Sequence, residues 1–201
     1  VIPVIERLAP KISIPISIDT YKAEVAKRAM EAGAEIINDI SGLRFDSDMP
    51  GVAASSGAAV IIMHIKGTPR DMQQSPTYTS LISEILEYLK ESIRIAEDAG
   101  IQPDRVVIDP GIGFGKTIEH NLTIMKNLEA FKVLGKPILL GTSRKSFIGK
   151  VTGADVADRL TGTAATLAIG IMNGADILRV HDVKGGVQAA RMADSIKCAN
   201  N

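Results

Sequence analysis

The chain has 201 residues, with 23 Lys+Arg against 23 Asp+Glu, so it carries no net charge at neutral pH. That balance removes the electrostatic argument for nucleic acid or an anionic membrane surface, and no apolar run approaches the roughly 18 residues that a membrane span needs. Aromatic residues make up 3% of the chain with no Trp, too few for a base-stacking platform, and the lone Cys198 has no internal disulfide partner, a usage that fits the cytoplasm.

The opening stretch from Val1 to Leu8 places apolar residues at helical spacing with no capping residue or initiator Met ahead of them. It reads as the end of a helix, which leads to the expectation that the sequence starts inside a domain. From there one unit repeats, a β-rich apolar run followed by an amphipathic helix. Strands are predicted over 12–18, 35–40, 59–65, 105–108, 137–140 and 177–180. Helical stripes lie between them, such as Leu81, Ile82, Ile85, Leu86, Leu89 and Ile93. Helix ends are marked by Gly33, Gly100, Gly135 and Gly174. Such alternation means a parallel sheet flanked by helices, either doubly wound or closed as a (β/α)8 barrel.

The strand tips weigh on that choice. They carry Asp19, then Asn38 and Asp39, then Met63 and His64, then Asp109, then Gly141 with Arg144 and Lys145, and finally Arg179, His181 and Asp182. Ligand residues of an open sheet gather at one switch point, whereas a barrel uses every strand end. Polar residues at all six tips favour an α/β TIM barrel with six of its eight β/α units visible. The other two units are expected before Val1. Residues 1–201 then form a single barrel domain, incomplete at its N-terminus, and no composition shift suggests a second domain.

Individual residues leave alternatives open. Asp19 either faces the mouth or caps the helix predicted over 21–32, a task Thr20 can take instead. Asn38-Asp39 is either a ligand pair or an Asx turn. His64 reads as a structural histidine rather than a metal ligand, because no second His or carboxylate set accompanies it. The segment from Asp109 to Lys116, Asp-Pro-Gly-Ile-Gly-Phe-Gly-Lys, has alternate glycines that let backbone approach a ligand. It has neither P-loop nor Rossmann spacing. A carboxylate before such a loop suits a flat heterocycle with adjacent N–H donors. Lys145 permits a Schiff-base reading, with Arg144 beside it depressing its pKa, while Ser146 next to a cation suits carboxylate or phosphate. Arg179 and His181 alternate on a strand and read as an anion site, unless Arg179 pairs with Asp182 or Asp176.

Taken together, Ser17–Thr20, Ile37–Gly42, Met63-His64 with Gly67-Thr-Pro69 and Met72-Gln73, Asp109–Lys116, Gly141–Gly149 and Arg179–Asp182 resemble the dihydropteroate synthase family of pterin-binding barrels. The likeness runs through essentially the whole chain. It implies condensation of 6-hydroxymethyl-7,8-dihydropterin pyrophosphate with p-aminobenzoate, giving 7,8-dihydropteroate and pyrophosphate, in folate biosynthesis. Pterin contacts are implied for Asp19, Asn38, Ile40, Met63, Asp109, Phe114, Gly141, Lys145 and Arg179. The resemblance also assigns p-aminobenzoate to Ser146 and the pyrophosphate to Arg179 and His181, with Lys145, Arg179 and His181 as the catalytic set. It further implies Mg²⁺, with a ligand expected in the missing N-terminal part rather than here, a homodimer, a cytoplasmic location and competition by sulfonamides. The alternatives are a non-catalytic pterin-binding fragment and a Schiff-base lyase using Lys145.

Overall fold

Branched apolar runs form six short strands, each followed by helix, in a computed structural model that describes residues 1–199. Two units emerge, Val1–His64 with Glu87–Ile108, and Ile65–Leu86 with the chain from Asp109 onward.

The first unit holds a parallel sheet in the order β1-β2-β3-β4, where β1 is Ser17–Asp19, β2 Ile36–Asp39, β3 Ala59–Met63 and β4 Val106–Asp109. Its last residue, Asp109, belongs to the second unit. Register is set by Ile18 opposite Ile37 and by Asn38 opposite Ile61. The strand predicted over 12–18 is much shorter than expected. Pro10 sits in a 3-10 turn over Ala9–Lys11, and Pro15 has no N–H to give, so pairing begins only at Ser17. Helix α1 is Ile2–Leu8, α2 is Ala23–Glu31 and α3 is Met49–Ser56. Ala23, Ala26 and Ala29 form a buried small-residue stripe along α2, and Ile37, Val60, Ile62, Met49 and Ala53 have no exposed surface. Helix α4, Leu81–Asp98, contributes Leu89, Ile93 and Ala96 to this core.

α2 starts two residues later than predicted, and Thr20 is not its cap. Asp46 Oδ2 instead accepts from Ala23 N at 2.8 Å, while Thr20 Oγ1 accepts from Lys22 N in a local turn.

In the second unit β5, Leu139–Leu140, pairs in parallel with β6, Ile177–Leu178. Around them lie α5 (Ile118–Lys126), α6 (Ser146–Thr152), α7 (Leu160–Met172) and α8 (Val183–Lys197). Ile124, Leu128, Phe131, Ile138 and Leu140 are fully buried here. α7 can lie against β5 because Gly170 has no side chain, and a Cβ there would run into the Leu140 side chain. The N-terminus of α5 is closed by a capping box, Thr117 Oγ1 accepting from His120 N and His120 Nδ1 from Thr117 N. That box fixes the exit of the glycine-rich loop 110–116. Among the described residues no helix is long and apolar enough to cross a membrane.

Candidate active site

Asp109 ends β4 fully inside the protein, and its Oδ1 accepts from Gly111 N at 2.7 Å. Burial pushes its carboxyl pKa upward, against the positive charges of Lys145, Lys116 and Arg179. Lys145, the residue before α6, passes its stem between two glycines. A Cβ at Gly113 would lie 3.3 Å from its Cδ, and one at Gly141 3.9 Å from its Nζ. Its ammonium donates to the Ile112 carbonyl and lies 4.9 Å from the centre of the Phe114 ring. Burial brings the Lys145 pKa down to about 8, with Arg179 adding to the effect and Asp109 opposing it. A Cβ at Gly141 would also lie 3.8 Å from the Cβ of Arg179. Asp109, Phe114, Gly141, Lys145 and Arg179 therefore lie in one neighbourhood.

The expectation that Arg144 tunes Lys145 is overturned. Arg144 adopts a left-handed backbone, φ 56°, and its guanidinium makes two bonds to Asp182, 2.9 Å from Nε and 2.6 Å from Nη2. The cation acting on Lys145 is Arg179. Both carboxylates weighed as Arg179 partners are engaged elsewhere, Asp182 with Arg144 and Asp176 accepting from Ile138 N at 2.8 Å. His181 is exposed but anchored, since its N donates to Ser143 Oγ at 3.1 Å and its Nδ1 lies 3.0 Å from the same oxygen. Arg179 and His181 lie just beyond β6 rather than within it. Ser146 is the exposed first residue of α6. It lines a cavity of about 490 Å³ with Gln73, Gly113, Lys116, Asn121, Phe147 and Lys150.

In the first unit, Asn38 Nδ2 donates to Asp19 Oδ1 at 2.8 Å. Asn38 Oδ1 is buried and has no hydrogen-bond partner among the described residues. Asp39 serves the turn instead. Its Oδ1 accepts from Ser41 N and Ser41 Oγ, both at 2.7 Å, and its Oδ2 from Leu43 N at 3.0 Å. Of the two readings weighed for Asn38-Asp39, the Asx turn is made by Asp39. Ile40 is half-buried just after β2, and Met63 is buried at the end of β3. His64 is buried edge-on to Tyr88, ring centres 4.8 Å apart, the structural environment expected of it. A larger cavity of about 760 Å³ opens near the starts of β2 and β3, lined by Lys27, Glu31, Ser55 and Arg105, on the opposite side from the strand tips.

Three residues escaped the sequence reading. Lys116 is buried, donates to the Phe114 carbonyl at 3.0 Å, and has its pKa lowered to about 7 by burial first and then by Lys145, with Asp109 opposing. Asn121 Oδ1 accepts from Gly113 N at 2.7 Å, and its Nδ2 donates to Thr117 O at 2.7 Å, tying the glycine loop to α5. Ser143 holds His181. Nothing in the spacing of the glycine loop reveals that Lys116 is buried.

Comparison with known proteins converges on one group. The family model described as "Pterin binding enzyme" matches residues 1–181. The dihydropteroate synthase of Clostridium beijerinckii is 50% identical over 197 residues, which cover 98% of this chain and 71% of that protein. The chain belongs to the dihydropteroate synthase family. Among solved structures, the dihydropteroate synthase of Clostridium difficile in the presence of pteroic acid superposes with a TM-score of 0.91 at 45% identity, covering 97% of this chain and 72% of that one. The Yersinia pestis dihydropteroate synthase with a sulfonamide drug complex gives 0.96 at 37% identity, covering 99% and 72%. The family fold is the (β/α)8 barrel, of which the present chain shows six β/α units. Its members are transferases of a dihydropterinylmethyl group, and dihydropteroate synthase is the activity that this membership gives the chain.

Proposed function

We propose that this chain joins the methylene carbon of 6-hydroxymethyl-7,8-dihydropterin pyrophosphate to the amine of p-aminobenzoate, through the residues gathered around Asp109. The observation that carries the site assignment is the buried Asp109 carboxylate flanked by Lys145 and Arg179. A carboxylate accepts from adjacent ring N–H donors, an ammonium donates to a ring carbonyl, and a guanidinium packs on a π face. Gly141 and Phe114 then form walls. For the first unit the assignment of Asp19, Asn38, Ile40 and Met63 to pterin recognition rests on the resemblance. It is supported by the unpartnered Asn38 Oδ1, an acceptor suited to a ligand N–H.

The carbon–oxygen bond to pyrophosphate breaks with its electron pair leaving on pyrophosphate. The aniline lone pair forms the new carbon–nitrogen bond, and one aniline proton is released to solvent. Stabilising the departing anion is the electrostatic requirement, met here by Arg179 and by His181 held on Ser143. Ser146 receives the p-aminobenzoate carboxylate beside Lys150, and sulfonamides compete there. Mg²⁺ belongs to the same reading and would neutralise pyrophosphate charge. Among the described residues no group of three His, Cys, Asp or Glu side chains is placed to hold a metal ion. A homodimer and a cytoplasmic location complete the proposal, the first supported by exposed Val187, Met192 and Ile196 on α8.

The test is formation of dihydropteroate from the two substrates with Mg²⁺, in the unsubstituted protein and in Lys145→Ala. Turnover that disappears in the variant supports the assignment. Binding without turnover would indicate a non-catalytic pterin module. Borohydride trapping of Lys145 with a carbonyl substrate would replace the reading by a Schiff-base lyase.

A further inference from the structure

The four successive carbonyls of the glycine loop each accept from a side chain. Ile112 O accepts from Lys145 Nζ, Gly113 O from Gln73 Nε2 at 2.6 Å, Phe114 O from Lys116 Nζ at 3.0 Å, and Gly115 O from Tyr78 Oη at 2.7 Å. Gly111, Gly113 and Gly115 all have positive φ, every other residue of the loop lacks a side chain, and Ile112 is a fully buried apolar anchor. Three of the four donors, Lys145, Gln73 and Tyr78, reach it from outside the loop. Two of the four donors, Gln73 and Tyr78, come from the segment after β3, which the synthase reading leaves without a role.

We propose that Gln73 and Tyr78 are positioning residues that clasp the glycine loop and thereby hold Phe114, and the carbonyl on which Lys145 rests, in place for the pterin substrate. This rests on the synthase reading of the site. Tyr78 is itself well braced. Lys66 Nζ lies 4.2 Å over its ring, and the His120 ring meets it edge-on at 5.0 Å. Lys66 is paired with Glu84 at 3.0 Å, and Glu84 Oε1 accepts from Thr79 N and Ser80 N at the start of α4. Burial raises the Tyr78 phenol pKa, so it stays a hydrogen-bond donor throughout the working pH range. Gln73, by contrast, is exposed. Its bond to Gly113 O is thus the part of the clasp that can be removed with least disturbance to packing.

The experiment compares Tyr78→Phe and Gln73→Leu with the unsubstituted protein by amide hydrogen exchange over residues 111–117 and by steady-state kinetics. Each variant should speed exchange in that loop about fivefold to tenfold, the loss of one net hydrogen bond, with the thermal midpoint nearly unchanged. KM for dihydropterin pyrophosphate should rise by a similar factor while kcat changes less than twofold. Partial unfolding would instead lower kcat at constant KM, and that pattern overturns the proposal. Unchanged loop exchange in both variants also overturns it, whether or not the protein turns over. Absence of turnover in the unsubstituted protein sinks the synthase reading separately, and the exchange rates then decide whether the clasp exists.

Discussion

The Lys145 ammonium rests on the Ile112 carbonyl with the Phe114 ring 4.9 Å away, so the cation is held by the loop it must serve. Its pKa is lowered from 10.5 to about 8, chiefly by burial. The folded protein therefore binds fewer protons than the unfolded chain between those two values. Stability contributed through this group is lowest below about pH 8 and rises as pH increases towards 10.5. Activity is expected to move the opposite way, because in the proposed role it is the ammonium form that donates to the pterin carbonyl. The expected outcome is a kcat/KM that falls as pH passes about 8, together with a urea midpoint that rises over the same span. Lys145→Met should remove that part of the stability slope. A kcat/KM profile flat to pH 9.5 would count against a charged Lys145 in the reaction.

Asn38 offers the sharpest separation between binding and stability. Its Oδ1 is buried without a partner among the described residues, while its Nδ2 donates to Asp19. A buried unpaired acceptor is a cost to the folded state that a ligand donor relieves. Asn38→Leu should therefore weaken pterin binding about tenfold or more, with a stability change of less than about 1 kcal/mol. Calorimetric titration and urea denaturation of the same variant check both halves. Undiminished affinity would remove Asn38 from the site.

Much of this arrangement was legible because strand ends announce themselves chemically. Apolar runs followed by Asp19, Asn38, Asp109 or Lys145 mark both the sheet and the side of it that carries the polar groups. What stayed hidden depends on backbone turns and on contacts distant in sequence. Nothing in Ser-Arg-Lys-Ser shows that Arg144 takes a left-handed φ of 56° and so points to Asp182 instead of acting on Lys145. Adjacent Asn38 and Asp39 look equivalent as letters. They differ because alternate side chains of a strand face opposite ways, and only Asp39 is followed by Ser41 N and Leu43 N within reach. The burial of Lys116 depends on the Phe114 carbonyl and the Asp109 carboxylate around it, neither of which its place in the sequence reveals.

Asp39 should behave as the opposite of Asn38. It accepts three hydrogen bonds in a turn where Ser41 and Leu43 are buried and Leu43 has a φ of 68°. Asp39→Ala leaves two backbone N–H groups without their acceptor, which costs about 3 kcal/mol in urea denaturation. Asp39→Asn keeps one carbonyl acceptor and should lose less. If the Asn variant remains folded, its pterin affinity should stay within about threefold of the original, since the side chain acts on the turn and not on a ligand. A folded Asp39→Asn that no longer binds pterin would show that this carboxylate has a direct role.

Gly115 and Gly100 make a matched pair for testing how tightly the glycine loop is built. Both have positive φ, 63° and 95°, so alanine at either position is strained by about 1–2 kcal/mol. At Gly100 a Cβ would meet nothing within 4 Å, whereas at Gly115 it would run into the Lys66 carbonyl oxygen, with Lys66 N and Cβ each at 3.0 Å. Backbone atoms cannot swing aside as a side chain does. Gly115→Ala should therefore cost at least about 3 kcal/mol, against about 1 for Gly100→Ala. It should also move the Phe114 and Lys116 carbonyl contacts with it. Urea midpoints of the two variants give the energies, and loop hydrogen exchange shows where the strain is released. Equal losses at both positions would mean that the loop can shift away from Lys66, and that its path is less constrained than its four side-chain donors imply.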